Sequence, residues 1–141
     1  MIDLRLSALP FIIIFATNFF FSWIYYSPMV PWFKTWQIGV GIDINKTGMT
    51  EEDKKSMPRL MGGAVVASLL LSYGLQIIMH SVKANDFASG ALVGFILWLG
   101  FVVTHSLNTQ FEGRKPIVLV INNVLYLFTY TVFGGIVAVL S

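Results

Sequence analysis

Long apolar runs alternate with short polar breaks along this chain, and that pattern sets the expected architecture. Mostly apolar residues fill about 7–27, 60–82, 87–109 and 116–140. Each run reaches the roughly 20 residues a helix needs to cross the hydrocarbon core of a bilayer. Each break carries residues that stop helices. Pro28 and Pro31 end the first run, and Lys83, Asn85 and Asp86 separate the second from the third. Between the third and fourth, Gly113 takes the place of a helix C′ residue and Pro116 that of a first helical residue, where proline is tolerated. The pattern predicts one all-α integral membrane domain over residues 1–141. Its form is a four-transmembrane-helix bundle in which the last two helices make a hairpin.

The connection over 28–59 is long enough to hold structure of its own. In "PWFKTW", Trp32, Phe33 and Trp36 share a helical face and Lys34 can reach headgroups, which predicts a short interfacial helix. In "TEEDKKSMP", Thr50 is a natural N-cap, followed by acids in the first turn and by Lys54 and Lys55, the order a helix dipole favours. This predicts a second helical stretch leading into the 60–82 run. The "NKT" at Asn45 matches a glycosylation sequon, which on a cytoplasmic loop is a chance match.

Composition agrees with the pattern. The chain has 141 residues, 56% hydrophobic and 11% charged, against about 25% charged in an ordinary soluble domain. Mean hydropathy is +0.75. A net charge of only +2 gives no reason to expect a nucleic-acid partner. With no cysteine, disulfides, thiolate metal sites and cysteine nucleophiles are excluded. The start, "MIDLRLSALPFIIIF", lacks the basic region of a cleaved signal and is expected to be a retained first helix. Seven basic residues (Lys34, Lys46, Lys54, Lys55, Arg59, Arg114 and Lys115) lie in the first and third connections, against Arg5 and Lys83 on the other side. The positive-inside rule then places these connections in the cytoplasm and both termini outside it.

Polar residues inside the runs gather at that same end. Asn18, Ser22 and Tyr25 follow helical spacing on the first run, with Trp23 and Tyr26 beside them. Trp98, His105, Asn108, Thr109 and Glu112 do so on the third, while Asn122, Asn123 and Tyr126 lie near the start of the fourth and Arg59 opens the second. Polar groups at membrane depth are costly against lipid and turn inward or toward water. A shared pocket open to the cytoplasm follows, with Asn18, Trp23, Tyr26, Arg59, His105, Asn108, Glu112, Arg114 and Asn122 as candidate ligand-binding residues. Each also has a plainer role. The asparagines serve as interhelical glue, the aromatics as an interfacial belt, and His105 as a satisfied donor. Glu112, in a last helical turn, opposes the dipole and needs a partner such as Arg114, Arg59 or Lys115.

The motifs "WIYYSPMVPWFKTW", "GMTEEDKK" and "SLNTQFEGRKP" resemble a bacterial family of small membrane proteins catalogued as domain of unknown function 1761, over essentially the whole chain. The resemblance implies a four-helix bacterial membrane protein and brings no activity or site residues with it; the bacterial inner membrane is the expected location.

Function is therefore argued from residues. The first expectation is an oligomeric binding or transport module for a small solute or a lipid headgroup. Gly90-x-x-x-Gly94, Gly62-Gly63 and Gly134-Gly135 offer small-residue faces for homo-oligomers. No acid lies in mid-span for an ion relay. One alternative is a membrane enzyme on a lipophilic substrate, with His105 or Glu112 as general base and Arg114 or Arg59 holding an anion. No HExxH, GxSxG or phosphate-loop motif supports it. The other alternative is a structural or accessory subunit of a larger complex. No cofactor is expected and no metal, because His80 and His105 fall at opposite membrane faces.

Overall fold

The computed structural model describes residues 2–46, 48 and 50–140. Thr47 of the sequon and Met49 of "GMTEEDKK" lie outside them. Among the described residues the chain is all helical: α1 (Ala8–Tyr25), α2 (Phe33–Gly39), α3 (Glu51–Val82), α4 (Phe87–Glu112) and α5 (Pro116–Leu140). All but α2 are long and apolar enough to cross a membrane.

The helix ends follow local chemistry. Thr50 Oγ1 accepts from the Asp53 amide and the Asp53 carboxylate accepts from the Thr50 amide, a full capping box. From there α3 runs 32 residues without a break, joining the charged connector to the apolar run. Pro58 is tolerated in its second turn because that turn is exposed and water can take the freed carbonyl. Asp86 caps α4 by accepting from the Ser89 amide at 3.0 Å. Gly113, at φ +81°, turns the chain between α4 and α5, and Lys83 takes the left-handed position after α3.

Inside α4 the hydrogen bonding changes register. Trp98–Val103 forms a π turn and Thr109–Glu112 closes as a 3₁₀ turn. A π turn accommodates one more residue than an α turn, so the face following Trp98 advances by one position. Ser106 and buried Thr109 turn toward α5, while His105 and Asn108 are exposed. The stripe expected from uninterrupted 3.6-residue spacing is thereby split.

The packing is uneven. α5 is the central helix, with 39% of its apolar stretch buried against 11% for α4. α4 lies along α5 with backbones nearly touching at Gly90, Gly94 and Gly134, where a Cβ on Gly134 would stand 2.6 Å from the Gly90 carbonyl. The small-residue motif of α4 is thus used inside the protomer. On the other side, α1, α3 and α5 share a core of Ile14, Leu75, Met79, Phe133 and Val137. A second core, Tyr25, Ile121 and Leu125 with Trp32 and Trp36 against it, ties α1 and α2 to α5. No residue of α3 enters that second layer. Residues 51–67 of α3 are almost all exposed, so α3 leaves the other helices at this end.

Candidate functional site

Between the two packed layers, α1, α3 and α5 line a half-open cavity of about 450 Å³. Layer one stops at Ile14 and Phe133, and layer two begins at Tyr25 and Leu125. The intervening turns place Asn18 and Ser22 of α1, Ser68 and Leu71 of α3, and Tyr126 and Thr129 of α5 on the wall. The lining is mainly apolar and aromatic, with Phe19, Trp23 and Tyr130 completing much of it. Asn18 Nδ2 donates to Ser68 Oγ at 2.8 Å, bridging α1 and α3 across the cavity side. Thr129 is 2% exposed, and its hydroxyl is one of four buried polar side-chain atoms without a partner among the described residues. The other three belong to Gln76, Asn123 and Thr131, none of which lines this cavity. An unsatisfied buried hydroxyl costs about 1–3 kcal/mol.

Tyr26, at the end of α1, closes the cavity toward α2. Its hydroxyl donates to Asn122 Oδ1 at 2.7 Å, and Trp36 packs on its ring at 4.9 Å. Tyr25 beside it donates to the Ile121 carbonyl and packs at a tilt against Trp32, whose Nε1 donates to the Tyr25 carbonyl at 3.1 Å. The aromatic helix α2 therefore folds back on α1 and α5 and braces Tyr26, leaving Lys34 exposed.

Beyond Tyr26 lies a second recess of about 420 Å³, beneath α2 and beside the α4–α5 turn. Tyr26, Trp36 and Asn122 form one wall, and Glu112, Arg114 and Lys115 the other. Arg114 Nε stands 3.8 Å from Glu112 Oε2, with both side chains more than half exposed. Exposed pairs of this kind contribute roughly 0–1 kcal/mol, so this one does not pin the turn. Lys115 Nζ reaches the Ile38 carbonyl at 3.4 Å, placing a cation at the C-terminal end of α2.

Of the sequence candidates, Asn18, Trp23 and Tyr26 line the cavity, and Tyr26, Glu112, Arg114 and Asn122 line the recess. Arg59, His105 and Asn108 line neither and are exposed. Trp98 and Asn123 face each other, Trp98 Nε1 donating to the Asn123 carbonyl and Asn123 Nδ2 to Ser106 Oγ, which makes them glue between α4 and α5. Ser68 and Thr129 were not among the candidates. A signal existed for both, since Ser68, Ser72 and Gln76 repeat every fourth residue on α3, and Asn122, Tyr126 and Thr129 share a face of α5.

The opposite end holds the polar residues in structural bonds. Gln76 Oε1 accepts from the Ser7 amide, Ser72 Oγ donates to the Phe11 carbonyl, and Ser81 Oγ accepts from the Asp3 amide. His80 Nδ1 meets the Arg5 carbonyl at 3.0 Å. The Arg5 guanidinium holds the Asp3 carboxyl well below its ordinary range. Among the described residues no group of three His, Cys, Asp or Glu could hold a metal.

Four helices long and apolar enough to cross a membrane are compatible with a multi-pass helical membrane protein. The chain belongs to the family described as protein of unknown function (DUF1761), whose model matches residues 9–138. No curated protein and no solved structure matches it.

Proposed function

We propose that this protein binds a small lipophilic molecule bearing a hydrogen-bonding group, in the cavity between α1, α3 and α5, and serves as a membrane binding or transport module. The observation that carries this is the cavity itself. Its volume of about 450 Å³ falls within the roughly 300–1,000 Å³ of small-molecule pockets. An apolar wall with a few polar groups, Asn18, Ser68 and Thr129, suits an amphiphile. No charged side chain lines it among the described residues, which argues against a path for ions. The enzyme reading keeps only Glu112 and Arg114, an exposed pair on the recess wall, because His105 and Arg59 line neither space. The seven basic residues at the α2 end support a bacterial inner-membrane protein with that end in the cytoplasm and both termini outside. Gly62 and Gly63 on α3, with nothing packed on them, support a second copy as partner.

The test is a fluorescence titration with dodecanol, because Trp23 lines the cavity. A saturable change is expected, absent in Trp23→Phe through loss of the reporter and absent in Ser22→Phe through loss of space. A response that never saturates and ignores Ser22→Phe would mean partition into detergent and would refute the reading.

A further inference from the structure

The cavity and the recess are neighbours that share one side chain, Tyr26. Their chemistries are complementary. The cavity is apolar and carries no charge among its described lining residues, whereas the recess offers the cations Arg114 and Lys115 against a single acid, Glu112. We propose that the ligand is an anionic amphiphile whose phosphate head occupies the basic recess, while its chain passes Tyr26 into the cavity. This rests on the cavity being a lipophile site.

Three observations support it. First, both cations have donors to spare. Among the described residues, Arg114 has only an exposed contact with Glu112 at 3.8 Å, and Lys115 only a 3.4 Å contact to the Ile38 carbonyl. A guanidinium presents five donors in a fork that matches an oxyanion. Second, the recess is walled by Trp36 beneath an aromatic interfacial helix. Such belts lie at headgroup level, the depth of lipid phosphates. Third, the boundary between the spaces is one side chain, Tyr26, held by its hydrogen bond to Asn122 at 2.7 Å and by Trp36 on its ring at 4.9 Å. Displacing that one side chain would join the two spaces, giving an elongated molecule room in both. A free phosphate would use the recess and leave the cavity without an occupant.

The experiment is calorimetric titration of the full chain in a non-ionic detergent with dodecyl phosphate, dodecanol and inorganic phosphate. Dodecyl phosphate is expected to bind about tenfold more tightly than dodecanol, the scale of one charge-assisted hydrogen bond. Inorganic phosphate is expected to bind far more weakly than either. Arg114→Gln should remove most of the tenfold difference and leave dodecanol unchanged. Lys115→Gln should act in the same direction, and since it also frees α2, Arg114→Gln is the cleaner variant. Arg114→Glu should abolish the preference outright. Equal binding of dodecanol and dodecyl phosphate would overturn the headgroup site and spare the cavity reading. Failure of both alkyl probes would overturn the two together. Inorganic phosphate binding as tightly as dodecyl phosphate would assign the recess to a free anion and overturn the amphiphile.

Discussion

The α4–α5 seam and the α1–α3–α5 wedge are built from similarly apolar helices, yet one closes and the other stays open. In the seam, Gly90 and Gly94 meet Gly134 and the backbone at Tyr130, so the axes approach until main chains touch. In the wedge, the facing positions carry Asn18, Ser68, Tyr126 and Thr129. The Asn18–Ser68 bond holds α1 and α3 together at one point. Past it, α3 continues outward on its own capping box, and among the described residues nothing lies near the Cβ positions of Gly62 and Gly63. Small residues alone therefore do not bring helices together. They must face one another, and on α3 they do not.

The largest test of this contrast is a side chain forced into the seam. Gly94→Leu should lower stability by about 3 kcal/mol, the upper range for overpacking where backbone must move. Gly100→Leu, with nothing near its Cβ position, should change the unfolding temperature little. Equal effects at both sites would deny the seam its special closeness. In the wedge the sign reverses. Thr129→Val removes the unpartnered hydroxyl and should stabilise the ligand-free protein by about 1–2 kcal/mol, read from unfolding in detergent. A loss of stability there would mean that the hydroxyl is satisfied.

Asn18→Leu should cost about 0.6–1.7 kcal/mol, the range for interhelical hydrogen bonds in membranes. It should also loosen α3 without changing α4, seen as faster amide exchange in residues 64–71 alone. The smallest effect concerns the free end of α3. The Asp53 carboxyl, accepting from Thr50 and facing Lys46, is held down at about 2 from an ordinary 3.8. Its folded pKa is depressed, so its contribution is fully present above about 4 and fades as pH falls toward 2. The first turns of α3 should fray over that window while the seam keeps its exchange protection. Fraying that is independent of pH would remove the capping box from the account.

The four apolar helices and their breaks were legible because each rests on local chemistry. Gly113 turns left-handed, Pro116 opens α5 and Thr50 caps α3, all from residues within a few positions of one another. Half of the candidate site was legible for the same reason, since Asn18 and Tyr26 share α1 and Asn122 lies where α5 begins. The rest depended on two facts that periodicity does not carry. The π turn at Trp98–Val103 moves His105 off the inner face and puts Ser106 there. The close α4–α5 contact leaves α4 beside the bundle, so its polar residues never reach the cavity. Thr129 and Ser68 were readable from their four-residue spacing, but a buried Ser or Thr looks like a core residue until its partner is known.

Whether the wedge is a binding cavity or a packing gap is decided by native mass spectrometry of the protein released from mild non-ionic detergent. A discrete added mass is expected on the wild-type protein, retained at low activation and missing from Ser22→Phe. A bare wild-type spectrum identical to that of Ser22→Phe, with or without association between copies, would contradict the binding cavity.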